Sequence, residues 1–220
     1  MLDKDIREPL FDYLDERYGK VRTIEEKTIG NSRADVIAVV EGELLGFEIK
    51  SDSDTYTRLK TQIRDYERFC DRCFIVVGEK HTQVESHVPD HWGIIFVNEE
   101  NVIVEREAIT CPKVSIYNQM DLLWRNELAA IQEKEGLPKL AGTKRRLIYE
   151  RLIRTAGEPT IKHDMTEVLF ERDYTIYDTS VVKKKRKVKR IRKSTSSDRT
   201  RAHVTNYVGK RKRKTKIKKG

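Results

Sequence analysis

The stretch RADVIAVVEGELLGFEIK, residues 33–50, decides the fold. Its halves, Ala34–Glu41 and Glu43–Lys50, are rich in Val, Ile and Leu, and Glu41-Gly42 between them is a turn signal, so the pattern predicts two strands joined tightly. Side chains on a strand alternate faces, which sends Glu48 and Lys50 to one side and Phe47 and Ile49 to the other. The turn folds Asp35 back towards the end that carries Glu48 and Lys50. Upstream, Lys20–Ile29 has the same β-branched character and stops at Gly30-Asn31, extending the pair to a three-strand meander.

Working outward, Leu2–Tyr18 places Ile6, Leu10, Tyr13, Leu14 and Tyr18 near the spacing of an amphipathic helix. Pro9 inside that pattern predicts a start near residue 8. Thr55–Cys70 is predicted helical from Leu59, Ile63, Tyr66 and Cys70, with Ser53 or Asp54 as its cap. Arg72–Val77 contains the apolar run Phe74–Val77 and predicts a buried strand, parallel to its predecessor across the helical crossover. Gly93–Val97 and Val102–Val104 add strand signals. Beyond Cys111-Pro112 the periodicity turns helical over 120–133, 144–155 and 164–171, with breaks at Gly136, Pro138, Gly157 and Pro159.

Charge divides the chain. Residues 181–220 hold 19 Lys or Arg against Asp198 alone, a net +18, while the whole chain is +9, so the first 180 residues carry −9. Only the tail is drawn to a polyanion by charge alone, through Lys183, Lys184, Lys185, Arg186, Lys187, Lys189 and Arg190 and then Lys210, Arg211, Lys212, Arg213 and Lys214. Dense like charge with few large apolar side chains predicts a tail that stays disordered until a partner neutralises it. No apolar run approaches the length of a membrane span and the charged N-terminus lacks a secretory signal, which points to a cytoplasmic protein without membrane association.

Asp35, Glu48 and Lys50 form the minimum set for metal-assisted phosphodiester hydrolysis. Two carboxylates hold a hard divalent cation, Mg²⁺ or Mn²⁺, and a lysine steadies the attacking water or the developing charge. An acidic residue on one strand followed by Glu48-Ile49-Lys50 on the next resembles the PD-(D/E)XK nuclease superfamily, although a proline before Asp35 is absent. Gln62-Ile63-Arg64-Asp65-Tyr66 looks like the Q-x-x-x-Y element of its RecB-like branch, and Gln62 and Tyr66 lie one helical turn apart on a shared face. The likeness extends through Val76–His81, Val88–Gly93 and Leu123-Trp124-Arg125 to an uncharacterised bacterial group. It implies a restriction-endonuclease-like α/β fold, a substrate more often DNA than RNA, supporting roles for Arg33, Gln62 and Tyr66, and an extra metal-binding acid, for which Glu8 and Glu26 are the candidates.

Other residues have blander explanations. An E-x-K triplet alone is common on solvated strands, and Asp52 and Asp54 are accounted for by helix capping. Cys70-x-x-Cys73 ends a helix and enters a strand, the reverse of a redox motif, and lacks the further ligands of a zinc site. His87 and His91 flank Pro89, which argues against one helix presenting both. The run Lys183–Val188 resembles a nuclear localisation signal, a coincidence beside its better explanation as an electrostatic anchor on nucleic acid.

The sequence therefore predicts a nuclease-like α/β domain over 1–110, a helical annex over 111–177 available to a protein partner, and a basic tail over 178–220. A divalent-metal-dependent nuclease is the leading expectation. The alternative is a non-catalytic nucleic-acid-binding protein that keeps the fold and acts through a partner.

Overall fold

The computed structural model describes residues 1–98, 101–139 and 142–174, and Met1–Arg172 form one compact unit. The basic tail, with the localisation-like run, lies outside the described residues.

Six strands, β1 (Arg22–Ile29), β2 (Ser32–Val40), β3 (Glu43–Lys50), β4 (Arg72–Val77), β5 (Gly93–Val97) and β6 (Val102–Arg106), make one mixed sheet in chain order. The meander β1-β2-β3 is antiparallel, β3-β4 and β4-β5 are parallel, and β5-β6 is antiparallel. Helix α1 (Asp3–Tyr18) covers one face, where Ile6, Leu10 and Leu14 meet Val36, Ala38, Leu45, Phe47 and Ile49. Each of those strand residues alternates with one directed to the opposite face, where α2 (Leu59–Phe69) and α6 (Glu158–Glu171) pack on β2 and β3. Helices α3 (Ile116–Met120), α4 (Arg125–Lys134) and α5 (Arg145–Ala156) complete the α-helical part around α6.

The helix expected over 120–133 is instead α3 and α4, parted at 121–124, and three further boundaries differ from the sequence expectation. Helix α1 starts at Asp3, with Pro9 inside it. The missing N–H and the ring cost one helical hydrogen bond, but fully buried Ile6 and Leu10 seat the helix on the sheet on both sides of the proline. Helix α2 starts four residues later than Thr55 and has no side-chain cap, because the Asp54 carboxylate accepts from the Ser51 N–H and hydroxyl and closes a turn instead. Pro159 opens α6 rather than breaking it, since the first turn has no N–H to lose.

One close approach sets the position of α2. A Cβ on Gly46 would stand 2.6 Å from the Tyr66 ring and 2.8 Å from the Cys70 sulfur, so glycine in the middle of β3 is the notch that lets α2 lie against the strand. No helix among the described residues is long and apolar enough to cross a membrane.

Candidate active site

The hairpin register pairs Val36 with Phe47, and one step further sets Asp35 opposite Glu48. Beyond Val36 the ladder gives way to a side-chain bond: the Asp35 carboxylate accepts from the Ile49 N–H at 2.9 Å. Tyr66 closes the same gap from α2, its hydroxyl accepting from the Asp35 N–H at 2.9 Å and donating to the Phe47 carbonyl at 3.0 Å. Burial pushes the Tyr66 phenol well above its ordinary value, which keeps it neutral and able to do both. Tyr66 is thus a strand-to-strand bridge at the site.

Glu48, Lys50 and Gln62 form a closed triangle. Lys50 Nζ donates to Glu48 Oε1 at 2.6 Å and to Gln62 Oε1 at 3.2 Å, and the Gln62 amide donates to the same Glu48 oxygen. Glu48 is 1% exposed and Lys50 6%, and the second carboxylate oxygen, Glu48 Oε2, is buried without a hydrogen-bond partner. An orphaned anionic oxygen is costly in a dry setting. Burial raises the Glu48 carboxyl despite Lys50, Tyr66 and Gln62, and burial together with the Glu48 charge pushes Asp35 up to about 7. Two acids that resist ionisation side by side are an arrangement that a cation relieves.

This donor set fits a hard divalent cation, which takes carboxylate oxygens and completes its shell with water and phosphate. Among the described residues no group of three acids, histidines or cysteines converges, so the share this end of the sheet could offer a cation is the two carboxylates. Glu26 falls opposite Asp35 in the β1–β2 register, but its carboxylate is taken by Arg7 at 2.8 Å and Arg33 at 2.6 Å, which also occupies the Arg33 side chain. Glu8 is exposed on α1. The residue that α1 sends to this end of β2 is Arg7, whose guanidinium donates to the Asp35 carbonyl at 3.2 Å and also meets Asp3 and Glu25. The sequence expectation overlooked Arg7; the Asp3-x-x-x-Arg7 spacing was its only signal.

The remaining polar motifs separate. Cys70, Cys73 and Cys111 are buried free thiols, with the Cys73 and Cys111 sulfurs 3.4 Å apart. His91 bonds Glu67 at 2.8 Å, whereas His87 stacks on Tyr56. Asp52 pairs with the Met1 amine rather than capping a helix.

Comparison with known proteins adds a family. Residues 2–216 match the model of bacteriophage P4 protein cII. Protein cII of Enterobacteria phage P4 is 28% identical over 120 residues, covering 52% of this chain and 46% of that relative, so the match spans about half of the relative's length. Among solved structures, a protein of unknown function from Silicibacter pomeroyi aligns with 21% identity and a TM-score of 0.46, over 63% of this chain and 96% of that one. SfsA of Pyrococcus furiosus in complex with Ca²⁺ aligns with 18% identity and a TM-score of 0.26, over 52% and 62%. Matched over nearly its whole length, the chain belongs to the family of bacteriophage P4 protein cII.

Proposed function

We propose that this chain is a divalent-cation-dependent nuclease, acting on DNA ahead of RNA, with its active site at Asp35, Glu48 and Lys50. The observation that carries the reading is the buried, unpartnered Glu48 Oε2 beside a second carboxylate whose ionisation is suppressed. Asp35 and Glu48 would hold Mg²⁺ or Mn²⁺, which supplies Lewis-acid polarisation of the scissile phosphate and a water of lowered pKa. Lys50, whose ammonium lies at Glu48 and Gln62, would steady the attacking water or the negative charge growing on a phosphate oxygen. Gln62 keeps Lys50 and Glu48 in register, and Tyr66 fixes the spacing between the strands that carry the two acids. The Gln62-x-x-x-Tyr66 element supports placement beside the RecB-like branch of the PD-(D/E)XK nucleases. The basic tail anchors the protein on nucleic acid, and the helical annex over 111–177 is the surface offered to a protein partner.

A second reading rests on the Lys50–Glu48 ion pair and on the lack of a third converging acid among the described residues. On that reading the chain is a nucleic-acid binder that keeps the fold without turnover. Supercoiled, linear and single-stranded DNA incubated with Mg²⁺, Mn²⁺ or EDTA, beside Glu48→Gln and Lys50→Ala, separates the two. Metal-dependent cutting lost in both variants supports the enzyme; retention of DNA without cutting under any condition supports the binder.

A further inference from the structure

We propose that the stacked pair Tyr56 and His87 is a platform for one base of a single-stranded substrate that runs along α2 to the candidate active site. This rests on the nuclease reading and names the form of nucleic acid that the site takes. The Tyr56 and His87 rings stand 4.0 Å apart and 23° from parallel, with His87 exposed and Tyr56 half-buried. The Tyr56 hydroxyl meets His81 Nδ1 at 2.7 Å, and His81 Nε2 meets the carbonyl of Ser51 at 2.8 Å. The platform is therefore tied by two hydrogen bonds to the residue that directly follows Lys50.

Beside the pair lies a depression of about 430 Å³, bordered by Lys60, Ile63 and Pro89 as well as by the two rings. Those same three residues border a second depression of about 410 Å³, whose far rim carries Arg64. The turn of α2 that presents Lys60 and Arg64 to the furrow carries Gln62 on its other flank, where it bonds both Glu48 and Lys50. Lys60 and Arg64 are exposed and one helical turn apart, and Glu67, the acid in this furrow, is paired with Lys113 at 2.8 Å and hydrogen-bonded by His91. An apolar floor, cations spaced along it and an aromatic face at its head are the parts that bind single strands: charge follows the backbone while a ring takes a base. Bases in a duplex are already stacked on both sides and offer no face to the platform.

The test uses the full chain in EDTA, where no metal-dependent cutting intervenes, at raised salt to suppress the share of binding owed to the tail. A short single strand carrying 2-aminopurine should lose fluorescence on binding to the wild type, to Tyr56→Phe and to Tyr56→Trp. With Tyr56→Leu and His87→Ala the quench should vanish and affinity should fall about five- to hundredfold. A labelled duplex should show no quench and equal affinity for all variants. Should Tyr56→Leu lower the melting temperature, His87→Ala, whose ring is exposed, decides. Wild-type quenching in His87→Ala, or equal weakening towards single strand and duplex, overturns the platform. Because the readout needs no turnover, a protein that cuts nothing can still pass this test, and a nuclease can still fail it.

Discussion

Two buried acids of this protein are treated in opposite ways. Asp71, 2% exposed at the head of β4, has both oxygens engaged: one accepts from the Leu44 N–H at 2.8 Å and Gln119 at 2.9 Å, and the other from Lys162. It ties β3, α3 and α6 together, and its backbone carbonyl takes the Cys111 N–H as well. Glu48, equally buried and only a few residues along the neighbouring strand, crowds its partners onto one oxygen and leaves the other bare. Asp71 is saturated by its own chain, whereas Glu48 retains a bare oxygen, which the proposed cation would fill. Neither burial nor a bare oxygen alone distinguishes them, since Asp65 and Asp164 also bury one oxygen without a partner; Glu48 differs in facing a second acid, Asp35, across the hairpin.

The largest expected effect tests the bare oxygen. Glu48→Gln should lower metal-dependent cleavage by more than about a thousandfold, with urea unfolding at or above wild-type stability, and cutting at the wild-type rate would remove the site assignment. Asp71→Ala should do the reverse. It strands Lys162, Gln119 and the Leu44 N–H, costing about 3 kcal/mol in urea unfolding, while cleavage per folded molecule holds. A loss under about 1 kcal/mol would mean that the saturated cluster is dispensable and the contrast superficial.

Gly46→Ala touches both regions. Its methyl meets the Tyr66 ring, so about 1–3 kcal/mol of overpacking is expected. Displacement of α2 carries Gln62 with it, and cleavage should drop about ten- to a hundredfold. Stability loss without any change in cleavage would show that the position of α2 does not matter to Lys50.

The smallest effect concerns Asp35 in metal-free protein. Its carboxyl ordinarily titrates near 3.8 and is raised to about 7 in the fold, so the folded state holds the proton longer than the unfolded chain does. That stabilisation is complete below about 4, falls as pH rises and is gone above about 7. Asp35→Asn, which still accepts from the Ile49 N–H, should lack this slope and melt about 2–4 °C higher than wild type at pH 8 in EDTA. Added Mn²⁺ should close the difference by stabilising only the wild type. Identical pH profiles for the two proteins would show that Asp35 is not held in a strained, deprotonation-resistant state.

What could be read before the structure was local. The turn at Glu41-Gly42 fixes the register, and period-two alternation then places Asp35 against Glu48 and puts Lys50 on the same face. Gln62 and Tyr66 were legible as one helix face, but not that Tyr66 spans two strands, because that needs the depth of the Gly46 notch. Arg7 lies 28 residues before Asp35, and no periodicity links a helix guanidinium to a strand carbonyl at that separation. Pro9 and Pro159 misled for one reason: proline is judged by local geometry, while buried Ile6, Leu10 and Ile161 decide whether the helix persists around it. Asp54 had two acceptor roles open to it, and Ser51, three residues away, took the oxygen that the helix would have used.

The sheet runs from β1 to β6 without a single transposition of strands. In a chain emerging from the ribosome, each strand finds its hydrogen-bonding neighbour among residues already made, so little loop-closure entropy is spent before pairing is rewarded. Asp35, Glu48, Lys50, Gln62 and Tyr66 all lie within the meander and the first crossover, and the order of synthesis delivers them before α3–α6 exist. Asp71, by contrast, waits for Gln119 and Lys162. The candidate site can therefore take shape early on the nascent chain, and the helices locked by Asp71 arrive afterwards as its brace.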